Sequence, residues 1–175
     1  MNESEMAQSM IDWYSDQREG DFDIELEKHY NHYGTRGVVD IVDVDREPWL
    51  PSDRPRLNIY ELKSKPAIEV ASGANEIVRQ FNRHQEYFFK GQNDYPPYRK
   101  YSTITFYLVF NACEAVIEHL QENLTLYQQA ADPEHGTSHI ALFHEDYGVM
   151  IIPEGVDTVQ SATEGVQKIC EVVMS

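Results

Sequence analysis

Apolar residues recur along this chain at two periods, and each change of period marks an element. Met6, Met10, Ile11 and Tyr14 follow the i, i+4, i+8 stripe of an amphipathic helix, which predicts a helix over 3–18 with Asn2 or Ser4 as cap. Ile24, Leu26, Lys28 and Tyr30 keep the period of two expected of a strand over Asp23–Tyr30. Turn formers fill Asn31 to Gly37, and Val38–Val44 is the second strand. Arg46 to Arg56, with three prolines and several charges, predicts a loop, and Leu57–Lys63 is a third strand. Ser72 is placed to cap a helix from Ala74 to Lys90 that carries Ile77, Val78, Phe81 and Phe88. Gly91–Lys100, with Pro96-Pro97, is a loop. Thr103–Phe110 is a nearly continuous apolar run, as in strands buried on both faces. Cys113 to Ala130 predicts one helix with Val116, Ile117, Leu120, Leu124 and Tyr127 on its apolar side. After a loop at Asp132 to Ser138, Ile140–Phe143 and Gly148–Ile152 form a hairpin. Thr163–Val173 reads as a short helix or a strand. The order α-β-β-β-α-β-α-β-β predicts an α/β fold, a mixed β-sheet flanked by helices. The 175 residues fit a single domain over 1–175.

Composition narrows the class. At 41% hydrophobic residues the chain can bury a core, so wholesale disorder is not expected. No apolar run approaches the roughly 20 residues of a membrane span. MNESEMAQSM lacks the basic and apolar regions of a secretory signal, so a soluble, cytoplasmic protein with no membrane partner is expected. Two cysteines, Cys113 and Cys170, make neither a disulfide framework nor a four-thiolate cluster; they read as buried small hydrophobes.

The net charge of −16, from 30 acidic and 14 basic residues, is the unusual quantity. It weighs against a nucleic-acid partner, which needs a basic footprint. Yet the acids are spread along the chain, as in proteins that stay soluble in concentrated salt. At molar ionic strength the Debye length falls to about 3 Å and long-range repulsion is mostly screened. A halophilic host is therefore expected, and DNA is not excluded.

Two strands carry the informative side chains. In the second, Val38, Asp40, Val42 and Val44 share a face by alternation, so Asp40 is a carboxylate on an otherwise apolar surface; Asp43 and Asp45 fall on the other parity, where water is expected to reach them. In the third, Leu57, Ile59, Glu61 and Lys63 share a face that ends in charge. Buried charges are costly when unpaired, and close carboxylates repel unless a cation lies between them. A hard divalent metal answers both problems, because Mg²⁺ takes one or two carboxylates together with waters and phosphate oxygens. A lysine beside it can orient a water and meet an anionic transition state. Spacing alone leaves a second reading open, with Glu61–Lys63 an edge ion pair and Asp40 a solvated acid.

The segments RGVVDIV (36–42), IYELKS (59–64) and IVRQFNRHQEY (77–87) together resemble the PD-(D/E)XK nuclease superfamily, most closely its RecB-type and archaeal Holliday-junction-resolvase-like branches. The resemblance covers roughly residues 3–90 and implies a restriction-endonuclease-like fold. It also implies Mg²⁺ or Mn²⁺ held by Asp40 and Glu61, the backbone carbonyl of Leu62 completing the coordination and Lys63 as the catalytic lysine. Gln80 matches the Gln of the RecB-type Gln-x-x-x-Tyr; His84 stands where that pattern has Tyr, with Tyr87 nearby. Glu3 is the candidate for the further acid many members carry on their first helix, since Met6, Ala7 and Met10 follow it on the buried face; helix-dipole decoration is the other reading.

The resulting expectation is a metal-dependent nuclease hydrolysing DNA, of archaeal or viral origin, with Arg36, Arg79, Arg83 and His84 near the phosphates. The alternative is a nuclease-like fold that binds DNA or protein without cutting. A homodimer through Val166–Met174 is compatible with the pattern, as is plain core packing of that segment. His29 and His32 have zinc-like spacing but no partner pair, and read as surface histidines. Tyr30, Tyr33, Tyr95, Tyr98 and Tyr101 are placed either to stack on unpaired bases or to anchor loops.

Overall fold

The computed structural model describes residues 1–17, 22–32, 35–46, 54–70, 73–90, 101–131 and 137–175, with side chains at all of these except 22, 30–32, 35, 36, 70, 89 and 90. Helix α1 (Glu3–Gln17) opens on a capping box: Asn2 Oδ1 accepts from the Glu5 N–H at 2.9 Å, and Glu5 Oε2 accepts from the Asn2 N–H at 3.2 Å. Strands β1 (Phe22–His32), β2 (Thr35–Asp45) and β3 (Arg56–Lys63) follow. Two helices, α2 (Lys65–Val70) and α3 (Ala74–Gln85), lead to β4 (Thr103–Asn111), and α3 runs into a π-helical turn at Glu86–Lys90. Helices α4 (Glu114–Glu122) and α5 (Leu124–Ala130) lead to β5 (Thr137–His144), and β6 (Gly148–Ile152) and α6 (Glu164–Met174) complete the chain.

The six strands lie in chain order, β1-β2-β3-β4-β5-β6. β1–β2, β2–β3 and β5–β6 are antiparallel, whereas β3–β4 and β4–β5 are parallel. Both parallel connections step in the same direction across the sheet, and crossovers share one hand, so their helices fall on one face. The core divides accordingly. Ile77, Phe81, Val116, Leu120, Tyr127, Val166 and Ile169 pack over Leu57, Ile59, Phe106, Leu108 and Phe110. On the opposite face α1 sets Met6, Ala7 and Met10 against Ile41, Tyr60, Leu62, Val109 and Phe143. β4 is accordingly buried on both sides, as its apolar run predicts.

Several elements differ from the sequence expectation. The Cys113 to Ala130 helix is two helices, parted at Asn123 (φ −117°), whose Nδ2 donates to the His119 carbonyl at 2.8 Å; Cys113 precedes α4 and is half-buried. α2 arises directly after Lys63, too short to show an apolar stripe. Thr163–Val173 resolves as helix, because Val166, Ile169 and Cys170 enter the core at helical spacing and Thr163 Oγ1 accepts from the Val166 N–H at 3.2 Å. With those three side chains turned inward, Val172 is the large apolar residue α6 leaves exposed. Ser72 lies outside the described residues; Gly73, at φ 97°, precedes α3. Asp43 and Asp45 are not open to water: they are 2% and 5% exposed, with Asn58 Nδ2 donating to Asp43 at 3.2 Å and Arg56 Nη2 donating to Asp45 at 2.8 Å from the neighbouring strand. Alternation in β2 also breaks: Val38 is exposed while Val39 joins the core beside Val42. The β1–β2 ladder keeps its register from Leu26↔Ile41 to Lys28↔Val39, and Glu27, opposite Asp40 between them, sits at φ 51°.

Candidate functional site

β2 and β3 are hydrogen-bonded from Asp45↔Arg56 to Ile41↔Tyr60, and there the pairing ends. The next residues on the two strands are Asp40 and Glu61. In place of a ladder bond, the Leu62 N–H donates to Asp40 Oδ2 at 2.7 Å. Asp40 is thus held across the opening by its side chain, at the edge where β3 continues alone alongside β4, pairing Glu61↔Leu108 and Lys63↔Phe110.

Glu61 and Lys63 project together from β3 and are nearly buried, at 6% and 8% exposure. Lys63 Nζ lies 3.3 Å from Glu61 Oε1 and donates to Gln80 Oε1 at 3.1 Å. His84, one turn after Gln80 on α3, brings Nε2 to 3.2 Å from Glu61 Oε2. Its ring lies parallel to Phe106, with centroids 6.1 Å apart and planes inclined by 10°.

Electrostatics tie a fourth acid to this group. Burial, opposed by the Lys63 charge and reinforced by Glu61, raises the half-buried Glu3 carboxyl above its ordinary value, and the backbone of Ser64 hydrogen-bonds to it. Burial and then the Glu61 carboxylate push Asp40 up to about 8, although the Leu62 N–H and Lys63 pull the other way. For Glu61 burial also acts upward, but contact with His84 and Lys63 outweighs it and the carboxyl falls below its ordinary value. Two acids raised by burial and by Glu61, beside that one stabilised carboxylate, form an environment that a cation would relieve.

The donor set is oxygen-rich and suits a hard divalent ion. Among the described residues no three His, Cys, Asp or Glu side chains converge into a cage. Mg²⁺ does not require one, since it keeps several waters beside one or two carboxylates. Glu61 Oε2 is buried and faces His84 Nε2 at 3.2 Å, a contact that engages one lone pair and leaves another for a ligand. Asp40, Glu61 and the Leu62 carbonyl therefore fit such an ion, with Glu3 behind them.

The remaining candidates are placed differently. Arg79 and Arg83 are exposed on α3. The Arg36 side chain lies outside the described residues. His84 is only 5% exposed and turned to Glu61, so its ring is held below the surface where a phosphate contact would be made. His29 is exposed, Tyr101 packs against the core, and the side chains of His32, Tyr30, Tyr33, Tyr95 and Tyr98 lie outside the described residues. Sequence reasoning did not single out Ser64, fully buried with an Oγ that lacks a hydrogen-bond partner among the described residues, or Tyr60. Tyr60 stacks on Tyr107 with centroids 4.8 Å apart and donates to the Tyr14 hydroxyl at 3.3 Å, which fixes α1, and hence Glu3, over the end of β3. The only sequence signal for either was adjacency to Glu61 and Lys63.

A family model described as the PD-(D/E)XK nuclease superfamily domain matches residues 1–142. The chain belongs to the PD-(D/E)XK nuclease superfamily. Every residue of the group just described lies within the matched stretch, which ends inside β5. In this PD-(D/E)XK chain β6 and α6 follow the match yet supply Ile152, Val166 and Ile169 to the same core. No curated protein and no solved structure matches the chain. Among the described residues, no helix is long and apolar enough to cross a membrane.

Proposed function

We propose that this PD-(D/E)XK domain is a metal-dependent nuclease that hydrolyses DNA phosphodiester bonds, with Asp40, Glu61 and the Leu62 carbonyl holding Mg²⁺ or Mn²⁺ and Glu3 assisting. The observation that carries this reading is the opening between β2 and β3, where Asp40 reaches the Leu62 N–H and Glu61 and Lys63 emerge beside it from the third strand. When bound, the ion supplies charge neutralisation at the phosphate and lowers the pKa of a coordinated water. Lys63, held by Gln80, positions the attacking water and meets negative charge developing on the phosphoryl oxygens. Arg79 and Arg83 offer guanidinium groups to the DNA backbone, as does Arg36 from β2.

Of the 14 lysines and arginines, Lys168 alone follows Lys100; with 19 of the 30 acids also before that point, the motif-bearing part is net −6 against −10 for the rest, so it repels a polyanion less than the remainder of the chain does. Incubation with labelled duplex, single-stranded and branched DNA plus Mn²⁺, at low and at molar salt, tests the proposal. Cleavage is expected, with EDTA abolishing it and Lys63→Ala lowering it by at least about 10²-fold in a folded protein. Asp40→Asn or Glu61→Gln cutting at the wild-type rate would overturn it.

The net charge favours a second reading, a nuclease fold that recognises DNA or a protein without cutting. Calorimetry with Mn²⁺ separates the two: the nuclease reading requires binding that Glu61→Gln destroys.

A further inference from the structure

Glu61 is gripped from both sides. Lys63 Nζ stands 3.3 Å from Oε1 and His84 Nε2 stands 3.2 Å from Oε2. His84 and Gln80 lie one turn apart on α3, and Gln80 holds Lys63 at 3.1 Å, so a single helix face braces both charged residues of β3. The His84 ring has little freedom, being 5% exposed and laid along Phe106 from β4. A glutamate rotates about three side-chain bonds, and a ligand that must find its orientation loses affinity for its ion.

We propose that His84 is a positioning residue, whose Nε2 fixes the orientation in which Glu61 presents its carboxylate to the divalent cation shared with Asp40. The proposal rests on the nuclease reading above and names a part of that site which the sequence resemblance does not supply, since the resemblance has Tyr at this position. Its requirement is geometric: a nitrogen must stand where Nε2 stands. Glutamine places its amide nitrogen close to that point, asparagine is one methylene too short, and phenylalanine keeps the ring on Phe106 without any nitrogen.

The test measures Mn²⁺ affinity by calorimetry, the electron paramagnetic resonance signal of bound Mn²⁺, and the melting temperature of the full chain and its variants. His84→Phe is expected to melt near wild type yet bind Mn²⁺ about 10–100-fold more weakly, with a broadened resonance signal. His84→Gln should recover most of the affinity, and His84→Asn should not. Should the Phe variant fail to fold, the Gln and Asn pair decides by reach alone. Wild-type affinity in His84→Phe or His84→Asn would overturn the proposal, as would affinity that merely tracks melting temperature across the series. A wild-type chain that binds no Mn²⁺ would remove the nuclease reading and this proposal together, an outcome distinct from variants that bind as well as wild type does.

Discussion

Asp40 carries the clearest titration signature among the site residues. Its carboxyl is raised from 3.8 to about 8 by burial and by Glu61, so between those values the folded chain holds a proton that the unfolded chain has released. The sign is therefore a loss of stability as pH rises across that window in the absence of a divalent ion. Melting temperatures measured in EDTA should show it: Asp40→Asn is expected to gain on wild type progressively from about pH 4 to pH 8, with no advantage at the acid end. Saturating Mn²⁺ should erase that gain, because the cation supplies the compensation the neutral amide mimics. Asp40, Glu61 and Lys63 were legible in the sequence because each interrupts an apolar alternation, and a charge on such a face demands a reason. The brace from α3 was legible only through the resemblance, which picked out Gln80 and set His84 at the tyrosine position; the spacing alone does not say that this helix face meets the ends of β3 and not solvent, nor that His84 turns to Glu61. The burial of Asp43 and Asp45 escaped for the same reason: their partners Asn58 and Arg56 stand on another strand, brought alongside only by register.

Elements were more legible than their joints. Each strand was placed in the sequence, β1 to β3 from their alternation and β4 from its continuous apolar run, and α1 and α3 from their stripes. What failed were the breaks, the Asn123 division of α4 from α5, the short α2 and the π-helical turn, because each depends on tertiary packing more than on local propensity. One joint has a sharp steric basis. Gly148, the first residue of β6, sits at φ 78°, and a Cβ there would collide with the ring of Trp13 from α1. Gly148→Ala should therefore cost about 1–3 kcal/mol or more from backbone strain, with the ring contact added. Chemical denaturation followed by far-ultraviolet circular dichroism checks it, and unchanged stability would show that α1 docks without this contact. Asn2→Ala, which removes the capping side chain, should cost about 1 kcal/mol by the same measurement.

At the scale of the whole molecule, charge sets the expected behaviour. A net −16 on 175 residues opposes compaction by self-repulsion, and the ion pairs seen at the surface, such as Lys65–Glu69 and Lys168–Glu164, each contribute at most about 1 kcal/mol. Raising NaCl from low to molar concentration should therefore raise the melting temperature, the screening of like charges outweighing the weakened pairs. Calorimetric scans across that series check it, and a flat or falling trend would remove the argument for a halophilic setting. The overall class, a mixed sheet with helices, followed from the alternation of periods. The assignment of helices to faces did not, because it follows from crossover hand and strand order, which no local pattern encodes.

Strand order has one more consequence, for how the chain is made. Each strand pairs with the one synthesised immediately before it, so the sheet can grow by addition at a single edge as the polypeptide leaves the ribosome, with no strand held waiting for a distant mate. Asp40, Glu61 and Lys63 would then be in place before β4 exists. Their brace closes only when α3 docks against Phe106, so the nascent chain carries the chemistry of its site before it has the means to hold it in position.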